Sequence, residues 1–201
     1  MGNLQCALPC RLLHRRPRLW LRLGVIQWIL IYGGSMKHVP KPGEYLSIGH
    51  ADKIEWMIET NGWALEPVLA DPDSNPPMPS YAYSIGMPGA VGFADVAVFG
   101  LTPVAANGLV TLVADACRGG TDIPLGVELV GLLDNDLRCF FAPIDVNEHA
   151  GFFTTAVSWF RGAPFEMVQL LFPDRNGFMP YEAGYEQRMR LAQPVLGQLA
   201  G

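Results

Sequence analysis

The chain has few cysteines, no recognised catalytic motif and, over most of its length, little positive charge. Its cysteines are Cys6, Cys10, Cys117 and Cys139, and no two stand in CxxC spacing. That excludes a disulfide-dense scaffold and a closely spaced thiolate metal site. Reduced thiols at Cys117 and Cys139, in a cytoplasmic protein, are the expected state. There is no GxSxG, no HExxH, no P-loop and no GxGxxG opening a helix after a strand. No cofactor is indicated. The longest apolar run, Leu23–Tyr32, is broken by Gln27. It falls short of the ~20 residues that a membrane span needs.

The shortage of positive charge is regional. Residues 1–35 hold Arg11, Arg15, Arg16, Arg18 and Arg22 and no acidic residue. Removing those five from the 14 basic residues leaves 9 against 19 acidic ones, a net charge of −10 for residues 36–201. A domain that acidic repels a phosphate backbone, which argues against a nucleic-acid partner.

Half of the 201 residues are apolar, enough for a sizeable core in one domain. The domain is expected over residues 36–185, with a tail over 186–201. Residues 1–35 have two readings. Met36 is a natural start, and the stretch before it then has no structural role. Alternatively, the basic segment and short apolar run outline a secretory signal, which would make the protein secreted rather than cytoplasmic.

Residues 37–47, with Pro40, Pro42 and Gly43, read as an irregular lead-in. Ile54, Met57 and Ile58 fall at i, i+3 and i+4, one face of a helix over His50–Asn61 stopped by Gly62. Trp63–Leu69 reads as a strand, which Pro67 confines to a sheet edge or a bulge. Asp71–Ser80, with four prolines, is a loop. Tyr81–Gly86 and Asp95–Phe99 are strands, the second apolar enough to be central, and the Gly-rich Met87–Gly92 joins them. Thr102-Pro103 starts a helix that runs to Arg118, with Leu109, Leu112, Val113 and Ala116 as its buried stripe and Gly119-Gly120 as its stop. Val127–Leu133 and Leu137–Ala142 read as a hairpin around Asp134–Asp136. Asn147 caps a second helix through Arg161, with Phe152, Phe153, Ala156, Val157 and Phe160 inward. Met167–Phe172 is a last strand, Pro173–Gly177 a turn, and Glu186–Ala192 a weak helical patch. The sum is an α+β fold: a mixed or antiparallel sheet covered by two main helices, in a single domain.

Several words along the chain carry a family resemblance. They are Asn61-Gly62-Trp63, Tyr81–Gly86 (YAYSIG), Phe99-Gly100-Leu101, Trp159–Gly162 (WFRG) with Phe165, Gln169–Asp174 (QLLFPD) and Gly177–Glu182 (GFMPYE). Together they resemble the bacterial domain-of-unknown-function family 4262 over roughly residues 50–185. The resemblance brings no settled activity. It does mark departures. Where relatives often read Gly-His-Pro-Glu, this chain has Gly92-Phe93-Ala94-Asp95. Where they tend to show His-Tyr, it has His149-Ala150.

The candidate chemistry is thin. His149, in the first turn of its expected helix, would be kept neutral by the helix dipole and so suits a general base. Asp95 and Glu182 are the carboxylates that could serve with it. The three would also suit a divalent ion if the fold converged them, but their spacing does not show it, and no metal site is assigned. His50 has weaker support, and His38 reads as solvated. Asp174 most simply closes its own turn. Gln169, in an apolar strand, either crosslinks neighbouring backbone or points into a polar pocket. Tyr81 and Tyr83 suit a pocket rim, with Tyr181, Gln169 and Asp174 as further ligand contacts, whereas Trp63 and Trp159 suit the core. The composition favours a small-molecule or protein binding module. The alternative is a hydrolase-like or transferase-like enzyme built on His149.

Overall fold

A computed structural model describes residues 49–199. The expectations for residues 1–35, for the lead-in and for His38 lie outside that range.

The described chain is an α+β domain around one open, six-stranded mixed sheet. Helix α1 (His50–Asn61) ends at Gly62, whose φ of 90° only glycine adopts cheaply. Strands β1 (Ala64–Val68) and β2 (Tyr81–Ile85) form a hairpin across the Pro-rich loop. Strand β3 (Asp95–Phe99) follows a short helix, α2 (Met87–Val91), and precedes the long α3 (Pro103–Arg118). Then come β4 (Glu128–Leu129), β5 (Cys139–Ile144), α4 (Thr154–Trp159), β6 (Met167–Leu171) and α5 (Gln187–Ala192). The strand order is β1-β2-β3-β6-β5-β4. Only β3 and β6 run parallel, with Ala97 opposite Gln169; every other pair is antiparallel. Pro67 sits on the edge strand β1, where a missing N–H costs no ladder bond.

Strand alternation divides the core. Ala82, Val96, Val98, Phe141, Val168 and Leu170 face α3. Tyr81, Tyr83, Ala97, Phe99, Ile144 and Met167 face α1 and the segment 150–160. Farther along that second face, Phe140, Ala142 and Leu171 lie under Met179 and Val195. The cover is α3 with the short α2 on one face, and α1 and α4 plus residues 179–197 on the other. Phe99, Phe141, Phe153 and Leu170 are fully buried. Each contributes roughly 1.5–3 kcal/mol of apolar transfer.

Four expectations are corrected. Met87–Gly92 is a short helix and not a plain connection. Gly86 and Gly92 enter and leave it in left-handed conformations. The stripe on α3 is rotated. Ala106, Val110, Val113 and Ala114 are its buried residues, and Leu109, Leu112 and Ala116 pack at its flanks. Small residues at i, i+4 and i+8 let the helix approach the sheet closely. The hairpin over 127–142 shrinks to two paired residues, Glu128 and Leu129. Gly126 and Gly131, both at positive φ, bracket that strand, and Leu133 turns into the core.

The helix expected over 147–161 is broken. A 3-10 turn spans Ala150–Phe152, and the α-helix begins only at Thr154. The physical cause is aromatic. Phe152 packs on Tyr81 at 5.6 Å between centroids and Phe153 on Tyr83 at 5.3 Å. Neighbouring residues of a helix diverge by about 100°, so two adjacent rings on one sheet face need a non-helical joint. Asp145, not Asn147, organises the entry: its Oδ1 accepts from the N–H groups of Asn147 at 2.9 Å and Glu148 at 3.3 Å.

Candidate functional site

Of the residues singled out from sequence, most are used by the fold itself. Asp95 is fully buried at the start of β3. Its carboxylate accepts from Ser84 Oγ at 2.9 Å and from the backbone N–H groups of Met87 at 3.0 Å and Gly86 at 3.2 Å. Burial outweighs those donors and raises its pKa to about 6.

Glu182 stands elsewhere, against Arg138 of the β4–β5 connection, with Arg138 Nη2 donating at 2.9 Å. That guanidinium, with the N–H of Met179, holds the Glu182 carboxyl below the usual range. Arg138 also binds Glu128, whose Oε1 accepts the Tyr181 hydroxyl at 2.6 Å. Asp174 is opposed by desolvation, but the N–H groups of Glu186, Phe178, Asn176 and Gly177 outweigh it and depress its pKa. It closes its own turn, as its sequence context implied.

Gln169, also fully buried, crosslinks backbone. Its Nε2 donates to Pro194 O at 2.6 Å, and its Oε1 accepts from Leu196 N at 2.8 Å and Gly197 N at 3.0 Å. Tyr81 and Tyr83 are core residues rather than rim residues, 3% and 1% exposed. Tyr81 stacks on Phe99 at 4.8 Å, and its hydroxyl donates to Phe152 O at 2.7 Å.

His149 is not in the first turn of a helix. It precedes the 3-10 turn, and its ring meets the edge of Phe152 at 6.2 Å. The hydrogen-bond partners of Asp95 and those of Glu182 have no residue in common, and His149 belongs to neither set. Among the described residues no three His, Cys, Asp or Glu side chains gather as a metal site. Cys117 and Cys139 are both free thiols.

What remains open is the end of the sheet where β5 stops and β3 and β6 begin. Ile144 pairs with Met167 there, and Met167 with Asp95. Two connections, 145–153 and 160–166, leave this edge, and between them opens a cleft of about 550 Å³. Ile144, Val146, Val157 and Phe165 give it apolar walls; Asp145, Asn147 and Glu166 are its charged or amide side chains. No Lys, Arg or His lines it among the described residues. Both loops are tied down. Asp145 holds one, and Gly162 N donates to Val157 O at 3.0 Å in the other. Ala94 and Ala150 both line this cleft.

A second cleft, of about 610 Å³, lies across α4 and against α1. Sequence reasoning underrated it. His50 lines it, and its Nε2 lies 3.1 Å from Glu66 Oε1, an oxygen that also accepts from Thr155 Oγ1 at 3.2 Å. Glu66 is 8% exposed, an acidic residue on an edge strand turned inward. The alternation of β1 carried that signal: Ala64, Glu66 and Val68 share one face.

The fold and these clefts define an α+β domain with an open mixed sheet and no gathered metal centre among its described residues. The chain belongs to the family described as a domain of unknown function, DUF4262, whose profile matches residues 57–186. No curated protein and no solved structure matches it. No helix among the described residues is long and apolar enough to cross a membrane.

Proposed function

We propose that the protein is a binding domain that captures a small, mainly apolar molecule in the cleft between residues 145–150 and 162–166. The supporting observation is the cleft itself. Its volume of about 550 Å³ lies within the ~300–1,000 Å³ usual for small-molecule sites, and apolar walls with few polar groups are the usual make-up of such sites. Asp145, Asn147 and Glu166, with no Lys, Arg or His beside them in the cleft among the described residues, favour a ligand whose polar end donates hydrogen bonds or carries positive charge. The acidity of the domain fits such a ligand better than a nucleic acid.

The test is a fragment screen read by ligand-observed NMR, repeated on Ala150→Tyr. A tyrosine there puts a ring into the cleft, and the family resemblance places an aromatic residue at this position, so the fold should accept it. Amine-bearing apolar hits that bind the parent protein and not the variant are the expected result. Hits that bind both proteins equally, or none with the parent, would overturn the reading.

A further inference from the structure

We infer that the second cleft, between α1 and α4, is a separate site for a small oxyanion, a carboxylate or phosphate group, gripped by Arg161 and His50. The inference is independent of the apolar cleft and goes beyond it.

Arg161 carries the argument. It follows α4 with a φ of 53°, in the left-handed region that a side chain makes costly. Gly162 comes next at 74°, so the chain leaves the helix through two successive left-handed residues. Glycine would take the first position without strain. The position holds an arginine instead; it lines the cleft, and its guanidinium has no ion-pair or side-chain hydrogen-bond partner among the described residues. A planar fork of donors of that kind suits a carboxylate or a phosphate.

His50 supplies the second donor in its protonated form, in which both ring nitrogens carry a hydrogen. Glu66 fixes its ring through Nε2, which leaves Nδ1 without a partner among the described residues. A ring oriented by a buried carboxylate loses little freedom when the other nitrogen takes a ligand. The charge of Glu66 is offset by the same protonated His50 that its Oε1 faces, and Thr155 takes up a further lone pair of that oxygen. Glu55 is the other carboxylate in the lining; it is exposed on α1 and hydrated. Ser158 adds a hydroxyl, and Trp159 a half-buried flat wall against which a planar ligand body can lie.

The experiment titrates the full chain with inorganic phosphate and, separately, with benzoate, following backbone and indole N–H signals by NMR. Saturable shifts at His50, Thr155, Trp159 and Arg161 are expected with at least one probe. Phosphate alone would identify a phosphate site, benzoate alone an aromatic carboxylate site, and both a general oxyanion site. Arg161→Gly removes the guanidinium while relieving the backbone, so it keeps the fold and should weaken binding at least tenfold. No saturable shift with either probe, or an Arg161→Gly variant that binds like the parent, would overturn the inference.

Discussion

Ser84 and Asp95 form a buried relay in which Ser84 Oγ donates to Asp95 Oδ1 at 2.9 Å and accepts from Val96 N at 2.8 Å. The carboxylate thereby ties the first residue of β3 to the left-handed Gly86 and to the start of α2. No cation partners it among the described residues.

A buried carboxylate of this kind has a signed pH dependence. The pKa of Asp95 is raised from 3.8 to about 6 in the folded protein. Between those values the native state keeps the proton and the unfolded state releases it, so this group's contribution to stability falls as pH rises through the window. The total is on the order of 3 kcal/mol at ~1.4 kcal/mol per pKa unit. Asp95→Asn removes that slope. It also turns an amide N–H₂ toward one of the backbone donors, at a cost of about 1–3 kcal/mol. Urea unfolding of both proteins from pH 4 to 7 should show the parent losing stability relative to the variant. Parallel profiles would mean that Asp95 titrates alike in the folded and unfolded states.

The Arg138–Glu182 contact behaves oppositely. Its carboxyl is held low, so its stabilisation is complete above the ordinary glutamate range and disappears as pH falls through the depressed value. Arg138→Met should move the Glu182 titration upward, toward an ordinary glutamate, in a carboxyl-detected NMR experiment. Acid unfolding of the variant should begin at higher pH. An unmoved titration would assign the depression to the Met179 N–H instead.

Gln169→Leu keeps the volume and loses three hydrogen bonds. Pro194 O and the N–H groups of Leu196 and Gly197 lose their partner. The expected loss is about 2–4 kcal/mol, with amide exchange at Leu196 and Gly197 accelerated far more than at β6. Uniform acceleration would show that the crosslink is not local.

Gly197→Ala tests the same contact sterically. A Cβ at Gly197 would run into the Ala142 Cβ and stand 2.7 Å from the Ala142 carbonyl oxygen. Overpacking of this kind costs about 1–3 kcal/mol. Thermal unfolding should show the loss, and adding Ala142→Gly should recover part of it. A variant as stable as the parent would mean that this segment stands off β5.

Much of the fold was legible because local chemistry and periodicity agree. Thr102 caps α3 through Ala105 N, Gly62 stops α1, Pro67 marks the edge strand and Val96–Phe99 the centre. Two of the departures needed a partner remote in sequence. Phe152 and Phe153 break their helix because Tyr81 and Tyr83 are there to receive them. The α3 stripe rotates toward its small residues because the sheet face comes close. The candidate site was harder to read. Asp95, Glu182 and Asp174 announce polarity, but a sequence does not say that backbone N–H groups and Arg138 already use it. His50 and Glu66 lie on different elements, and only the packing of α1 against β1 makes them a pair.

The Gln169 crosslink also orders events in time. Synthesis runs from the N-terminus, and the last strand is complete at Leu171, whereas Pro194 comes 25 residues after Gln169. Until those residues have been made, a nascent chain holds every strand and still has an unsatisfied amide in the middle of its sheet, together with the uncovered apolar surface of Phe140, Ala142 and Leu171. That interval is when a chaperone, or a second unfinished copy, has most to bind.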